Sequence, residues 1–338
     1  MRFDPLATRL YPPFPWEVPP VTWFVNPFTE HLIDDLRQNK RFKDLAVAVI
    51  DLTLRARRAD GLGWTTFAGW NLYDLRFAAS LVKIAAMFAA FRLRENVKSA
   101  AVEVTAKDGT ELFQVIAASW KPVVENVIPS GKPDFPQFDR IFTVSGGGGA
   151  WDIEFSSVFT KHLREMIGHS NNQSAGFVID AVGFQYLNGA LAAEGLYSED
   201  SGGLWLGGNY NGRNWMIEPI SKKTHMGATA GAVASFLTLL DGDRLVSPKA
   251  SDEMRKLMRQ AGSWFFEGLG KAKPPRNSVS DMYAKVGLMG THHDCAVIER
   301  PAGGRTIRYA VVALTAPSAG VLHELIVKLD DYILASNS

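Results

Sequence analysis

The 338-residue sequence contains a single cysteine, Cys295. One thiol closes no intrachain disulfide and supplies no cysteine-only zinc site. An excess of one charge is also lacking, with 36 Lys+Arg against 35 Asp+Glu and a formal net charge of +1. That removes the broad basic footprint of a nucleic-acid binder, so no nucleic acid is expected as partner. The longest apolar run, Phe77 to Phe91, has 15 residues and contains Lys83. It is too short, and wrongly charged, for a membrane span. The first 20 residues carry Asp4 and six prolines and lack the apolar stretch of a secretory signal. The chain as written is therefore expected to be cytoplasmic, or periplasmic if a leader has been removed. No ligand cluster with zinc-like spacing is present either. In His292-His293-Asp294-Cys295, consecutive strand residues point to opposite faces, so at most two converge. No metal and no cofactor is expected.

What is present is an ordinary globular composition, 46% hydrophobic and 21% charged. The length suits two lobes or one large domain. Residues 1–30 hold seven of the 17 prolines together with Trp16 and Trp23, which predicts an extended arm packed on the body. Two strand-like runs, 45–52 and 64–70, flank a turn-rich stretch and predict a β-hairpin. A long helix is expected over 79–96, then a mainly helical region with helices near 111–127, 154–168, 175–194, 228–240 and 248–261. Strands near 281–287, 294–299 and 306–315 and an amphipathic helix over 319–334 close the chain. Strands at both ends with helices between them predict an α/β (α+β) sandwich. Its antiparallel sheet is assembled from both termini and flanked by helices, with an all-helical lobe inserted. The expected division is an arm over 1–40, a sheet lobe over 41–96 plus 276–338, and a helical lobe over 97–275.

Three short constellations carry possible chemistry. In Phe77-Ala78-Ala79-Ser80-Leu81-Val82-Lys83, helical spacing lets the Ser80 hydroxyl and the Lys83 amine meet. An amine in an apolar setting loses pKa and can take the serine proton, activating a weak nucleophile. His169-Ser170-Asn171-Asn172 lies between two helical segments, where its polar side chains can enter a cleft or cap a helix. Tyr283-Ala284-Lys285-Val286-Gly287 places a lysine on a strand, followed by a glycine whose backbone N–H can closely approach an anion or carbonyl.

Ser-x-x-Lys, Ser-x-Asn and Lys-x-Gly, in this order and frame, resemble the serine β-lactamase and penicillin-binding protein superfamily, with class A β-lactamases most similar. The resemblance covers about residues 40–335. It implies that Ser80 is the acylated nucleophile and Lys83 its proton acceptor. Ser170 would relay a proton to the leaving group, and Asn172 would hold the substrate's acyl side-chain amide. Lys285 would attract a carboxylate, beside Gly287, and the backbone N–H groups of Ser80 and Leu288 would form the oxyanion hole.

The sequence departs from that pattern in three places. Asn171 stands where Asp is usual, and Val286 stands where a hydroxyl residue is usual. No Glu-x-x-Leu-Asn segment follows the second motif, so the glutamate that activates the deacylating water is missing. Glu199, Asp200 and Glu218 are the carboxylates of that region. Loss of such a base removes roughly 10²–10⁴-fold in deacylation. The resemblance therefore implies a serine hydrolase acting through a Ser80 acyl-enzyme on a small amide, lactam or ester, weak as a β-lactamase. Alternatives are an acyltransferase or D-amino-acid peptidase, or a binding or regulatory protein on the same fold. Trp205 and Tyr210, in a glycine-rich loop, are expected either to line the pocket or to anchor in the core. Gly146–Gly149 has no Gly-Lys-Ser/Thr after it and predicts a flexible connection near the cleft mouth, not a phosphate loop. The segment 97–150 is expected to add a helix and lid.

Overall fold

In the computed structural model, residues 23–24, 27–53, 65–128, 132–147, 150–198, 202–212, 216–219, 221–276 and 278–336 are described. From the N-terminus, β1 (Trp23–Phe24) and α1 (Pro27–Gln38) precede the hairpin β2 (Ala46–Asp51) and β3 (Thr65–Trp70). The short β4 (Arg76–Phe77) leads through a 3-10 turn (Ala79–Val82) into α2 (Lys83–Ala101). Then come α3 (Gly109–Val124), α4 (Phe138–Ile141), the hairpin β5 (Phe142–Gly147) and β6 (Ala150–Phe155), α5 (Ser157–Gly168), α6 (Asn172–Val182) and α7 (Phe184–Ala193). Four short strands follow: β7 (Tyr197–Ser198), β8 (Gly202–Gly203), β9 (Trp205–Leu206) and β10 (Met226–Ala228). The chain ends with α8 (Ala230–Asp241), α9 (Pro248–Met258), α10 (Trp264–Lys271), β11 (Asp281–Met289), β12 (Thr291–Ala302), β13 (Arg305–Ala316) and α11 (Ala319–Ser336).

Six strands form the main sheet in the order β1-β3-β2-β13-β12-β11, antiparallel except for the β1–β3 pair. The sheet does draw on both ends of the chain, and β11 is its free edge. Alternation along the strands divides the apolar residues between two cores. Ala46, Ala48 and Ile50 of β2, with Ala310, Val312 and Leu314 of β13, face the core shared with α2 and α8. Val47 and Val49, with Tyr309, Val311 and Ala313, face the core shared with α11. Every residue of β2 is buried, as a strand covered on both faces requires. Each such Val or Ile contributes about 1.5–3 kcal/mol on burial.

α2 runs through the molecule and is buried along most of its circumference, from Ile84 to Ala101. Small residues (Ala85, Ala86, Ala89, Ala90) let neighbouring elements approach it closely. Its two arginines are buried with partners. Arg92 pairs with Glu194, and Arg94 donates to Glu253 at 2.7 Å.

Several expectations need correction. The 1–40 arm contains a helix, α1; residues 1–22, with Trp16, lie outside the described residues. The stretch expected to be mainly helical also holds the β5–β6 hairpin, so the helix expected from 154 starts at Ser157. Gly146 and Gly147 belong to β5 of that hairpin; Gly148 and Gly149 lie outside the described residues. The helix expected over 175–194 is two, α6 and α7, separated at Gly183, whose φ of 82° ends the first. α10 was not expected, because its eight residues fall among Gly, Ser and Pro that read as loop. Among the described residues no helix is long and apolar enough to cross a membrane.

Candidate active site

Ser80 sits on the 3-10 turn that leads directly into α2. Two contacts hold that turn. The Ala78 N–H donates to Met226 O at 3.1 Å, extending the β4–β10 pairing. The Tyr210 hydroxyl donates to Ala79 O at 2.9 Å. Ala79 has φ of 48°, a left-handed conformation that a non-glycine residue adopts only under such restraint. Ser80 is half-buried and lines a cleft of about 420 Å³.

Lys83 opens α2 and is fully buried. Its amine donates to Ser170 O at 2.6 Å and to Asn172 Oδ1 at 2.7 Å, and lies 4.5 Å from the centre of the Tyr210 ring. Burial, reinforced by the nearby Lys285 ammonium, lowers the Lys83 pKa from 10.5 to about 7. A neutral amine has two N–H donors and one lone pair, and the two carbonyl-type acceptors occupy both donors. The lone pair is then left for a hydroxyl proton. Ser170 Oγ lies 3.4 Å from Nζ, and among the described residues no hydrogen bond joins Ser80 Oγ to Lys83. The direct Ser80–Lys83 contact expected from helical spacing is thus not made; Lys83 turns instead toward the loop between α5 and α6.

That loop carries the second motif. Ser170 has φ of 55°. Asn171 caps α6, accepting from the Ser174 N–H at 2.9 Å, while Asn172 lines the cleft. The capping reading therefore holds for Asn171 alone. Lys285 extends from the edge strand β11 and donates to Ser170 Oγ at 2.9 Å and to Val286 O at 2.9 Å. Burial lowers its pKa from 10.5 to about 8, opposed by Asp294 and Cys295 nearby. Lys83, Ser170 and Lys285 thus form one chain of polar atoms. It reaches the cleft through Asn172, which accepts from Lys83, while none of the three is itself among the cleft-lining residues. Gly287 packs directly on the serine turn; a Cβ there would lie 2.4 Å from Ala78 O and 2.8 Å from Leu81 N. Leu288 and Met289, beyond it, are exposed and form the cleft rim.

Residues 147–328 match the beta-lactamase enzyme family. The match spans more than half of the chain and includes Ser170, Asn172 and Lys285. The chain belongs to that family. No curated protein matches the sequence. Among solved structures, the chain is similar to the TLA-3 extended-spectrum beta-lactamase, at 13% identity, 90% of this chain, 99% of that one and a TM-score of 0.54. It is similar to PBP-A at 14% identity, over 95% and 100% of the two chains, with a TM-score of 0.51. It is also similar to a beta-lactamase from Sphaerobacter thermophilus, at 15% identity, over 91% and 96%, with a TM-score of 0.50. These likenesses show the β-lactamase fold.

Within this β-lactamase-family chain, several other candidate residues turn out to have structural work. Trp205 is fully buried against Tyr197 and donates to Met216 O, so it anchors the core; Tyr210 is the aromatic that lines the cleft. Glu218 is buried, accepts from Tyr197 Oη at 2.9 Å and the Ser221 N–H at 2.6 Å, and is not among the cleft-lining residues. Glu199 and Asp200 lie outside the described residues. His293 is buried. It accepts from the Thr315 N–H through Nδ1, so Nε2 carries the proton toward Thr291 Oγ1, and burial pushes its pKa down to about 4. Asp294 is buried and caps α10 through the Phe265 N–H and Ser263 Oγ. Neither residue lines the cleft, and no described residue from 97–150 does. Sequence reasoning missed Lys223, Thr224 and His225, which also line the cleft. They precede β10 with no motif around them, and only the β4–β10 pairing brings them to Ser80.

Proposed function

We propose that the chain is a serine hydrolase working through a Ser80 acyl-enzyme on a small amide, lactam or ester. The observation that carries this reading is the buried Lys83 amine, held near pKa 7 and bonded to Asn172, which lines the same cleft as Ser80. Such an amine is substantially neutral at neutral pH and competent to take the serine proton. Ser80 Oγ attacks the substrate carbonyl, its proton passes to Lys83, and the backbone N–H groups of Ser80 and Leu288 receive the developing oxyanion. Ser170, between the two amines, returns a proton to the leaving group as its bond to the carbonyl carbon breaks. Lys285 and Gly287 favour a substrate bearing a carboxylate, and Asn172 orients its acyl group. Val286 offers no hydroxyl to that carboxylate, which supports weak recognition of an ordinary penicillin. The division into a sheet lobe, 41–96 plus 276–338, and a helical lobe, 97–275, belongs to the same reading, with the cleft at their junction.

A binding protein that had abandoned catalysis would be free to fill the cleft or break the polar chain. Neither Trp205 nor any described residue of 97–150 lines the cleft, and the Lys83–Ser170–Lys285 contacts are intact. The test is intact-protein mass spectrometry after incubation with a penicillin, a cephalosporin and a small activated ester, with Ser80→Ala alongside. An adduct or catalysed substrate loss confined to the parent protein is expected. Neither adduct nor turnover with any of the three would overturn the proposal in favour of a binding role.

A further inference from the structure

Among the described residues no carboxylate lines the cleft, and Glu218, the described acid of this region, is held by Tyr197 and Ser221. Hydrolysis of an acyl-enzyme needs a base to deprotonate water. A histidine does line the cleft: His225, together with Ser80. Its position follows from sheet register: Gly227 pairs with Phe77, and the Ala78 N–H donates to Met226 O, so the next step along the two strands sets His225 beside the Ala79–Ser80 turn.

The tautomer of His225 is also determined. Nδ1 lies 3.0 Å from Met216 O, which can only accept, so Nδ1 carries the proton and Nε2 of the neutral ring has the lone pair. His225 is half-buried, and Nε2 makes no hydrogen bond among the described residues. The supporting carbonyl is itself fixed. Met216 O accepts from Trp205 Nε1 at 3.3 Å, and a Cβ on Gly207 would lie 1.8 Å from it, so only glycine admits this approach. A ring held at one nitrogen by a backbone carbonyl, with the other nitrogen bare in a cleft beside a nucleophile, is arranged as a general base.

We infer that His225 is the base that activates the deacylating water. This rests on the Ser80 acyl-enzyme reading. Nε2 takes one proton from water as the water oxygen bonds to the acyl carbon. The bond from that carbon to Ser80 Oγ then breaks as the His225 imidazolium gives that proton to Oγ, and the acid leaves with the water oxygen and the other water proton.

The experiment follows acylation and adduct decay separately by quenched-flow intact mass spectrometry, using benzylpenicillin and p-nitrophenyl acetate. It compares the parent protein, His225→Gln and His225→Ala. Glutamine keeps a donor for Met216 O but is no base. The expected result is acylation close to the parent rate in His225→Gln, with decay slowed by about 10²–10⁴-fold, so that the adduct accumulates. Added imidazole is expected to restore decay in His225→Ala, which a purely structural role would not allow. Decay at the parent rate in both variants, acylation and decay falling together without imidazole rescue, or a parent adduct that never decays would each overturn the inference while leaving the Ser80 reading intact. Absence of both adduct and turnover in the parent protein would remove the Ser80 reading itself, and this inference with it.

Discussion

Replacing Gly287 with alanine adds one carbon at the tightest contact between the sheet edge and the serine turn. The new Cβ would meet Ala78 O at 2.4 Å and Leu81 N at 2.8 Å, both backbone atoms that no rotamer change can move. Ordinary contact begins near 3.4 Å, so turn and strand must separate by about 1 Å. The strand is the stiffer partner, since β11 is in register with β12 from Asp281 to Met289. The turn hangs on two hydrogen bonds, from Ala78 to Met226 and from Tyr210 to Ala79. The displacement therefore falls mainly on residues 78–81, and it carries Ser80 away from the Leu288 N–H. A misplacement of about 1 Å at a reacting group costs on the order of 10²-fold in rate. Overpacking costs about 1–3 kcal/mol in stability. Acylation by an activated ester, followed by mass spectrometry beside a thermal melt, reads both quantities. A variant that melts lower but acylates at the parent rate would refute the argument, because it would detach the turn's position from the chemistry.

Five further outcomes are expected. Lys83→Met removes the proton acceptor and slows acylation by about 10²–10⁴-fold, measured as adduct formation. Because burial and Lys285 hold Lys83 near pKa 7, its neutral form grows as pH rises. The parent acylation rate should climb through about pH 7 and level off above it, and a flat profile there would contradict the assignment. The same depression means that above pH 7 the unfolded chain binds the proton the folded one has lost, so this lysine's contribution to stability rises with pH from about 7 toward 10.5; denaturant midpoints of Lys83→Met should lose that dependence. Tyr210→Phe deletes the hydroxyl bond to Ala79 O and should lower stability by about 0.5–1.5 kcal/mol by chemical denaturation. Glu194→Ala removes the half-buried carboxylate paired with buried Arg92 and should cost about 1–3 kcal/mol in the same assay, more than an exposed pair.

The sheet was legible because alternation and termini agree. The runs at 45–52 and 64–70 read as a hairpin, and β2 and β3 form one. The three C-terminal strands and the closing helix fall within a few residues of where periodicity puts them. What escaped were elements whose residues send a mixed local signal. In β5 and β6, Ser145-Gly146-Gly147 is poor strand sequence, and pairing with Ala150–Phe155 makes it a strand all the same. Gly183 divides α6 from α7 within a pattern apolar throughout, because both helices are buried and neither shows a polar stripe to mark its end.

The site divides along the same line. Ser80 and Lys83 are near neighbours in sequence, and helical spacing brings them to mind together. Ser170 and Lys285 were found only because short motifs in a fixed order point to a familiar arrangement. Even there, spacing misjudged the contact. It supposes a regular helix from Ser80, but Ala79 at positive φ starts a 3-10 turn, and Lys83 finds its partners on the α5–α6 loop. His225 had no such route to notice. Its relation to Ser80 passes through two short strands, β4 and β10, separated by about 150 residues and too short to show a period. The missing glutamate was the one usable signal. An absent base in an otherwise intact polar chain says that a replacement should be sought, but it does not say where. That answer depends on which side chains the β4–β10 pairing carries to the serine turn, and the pairing is tertiary information.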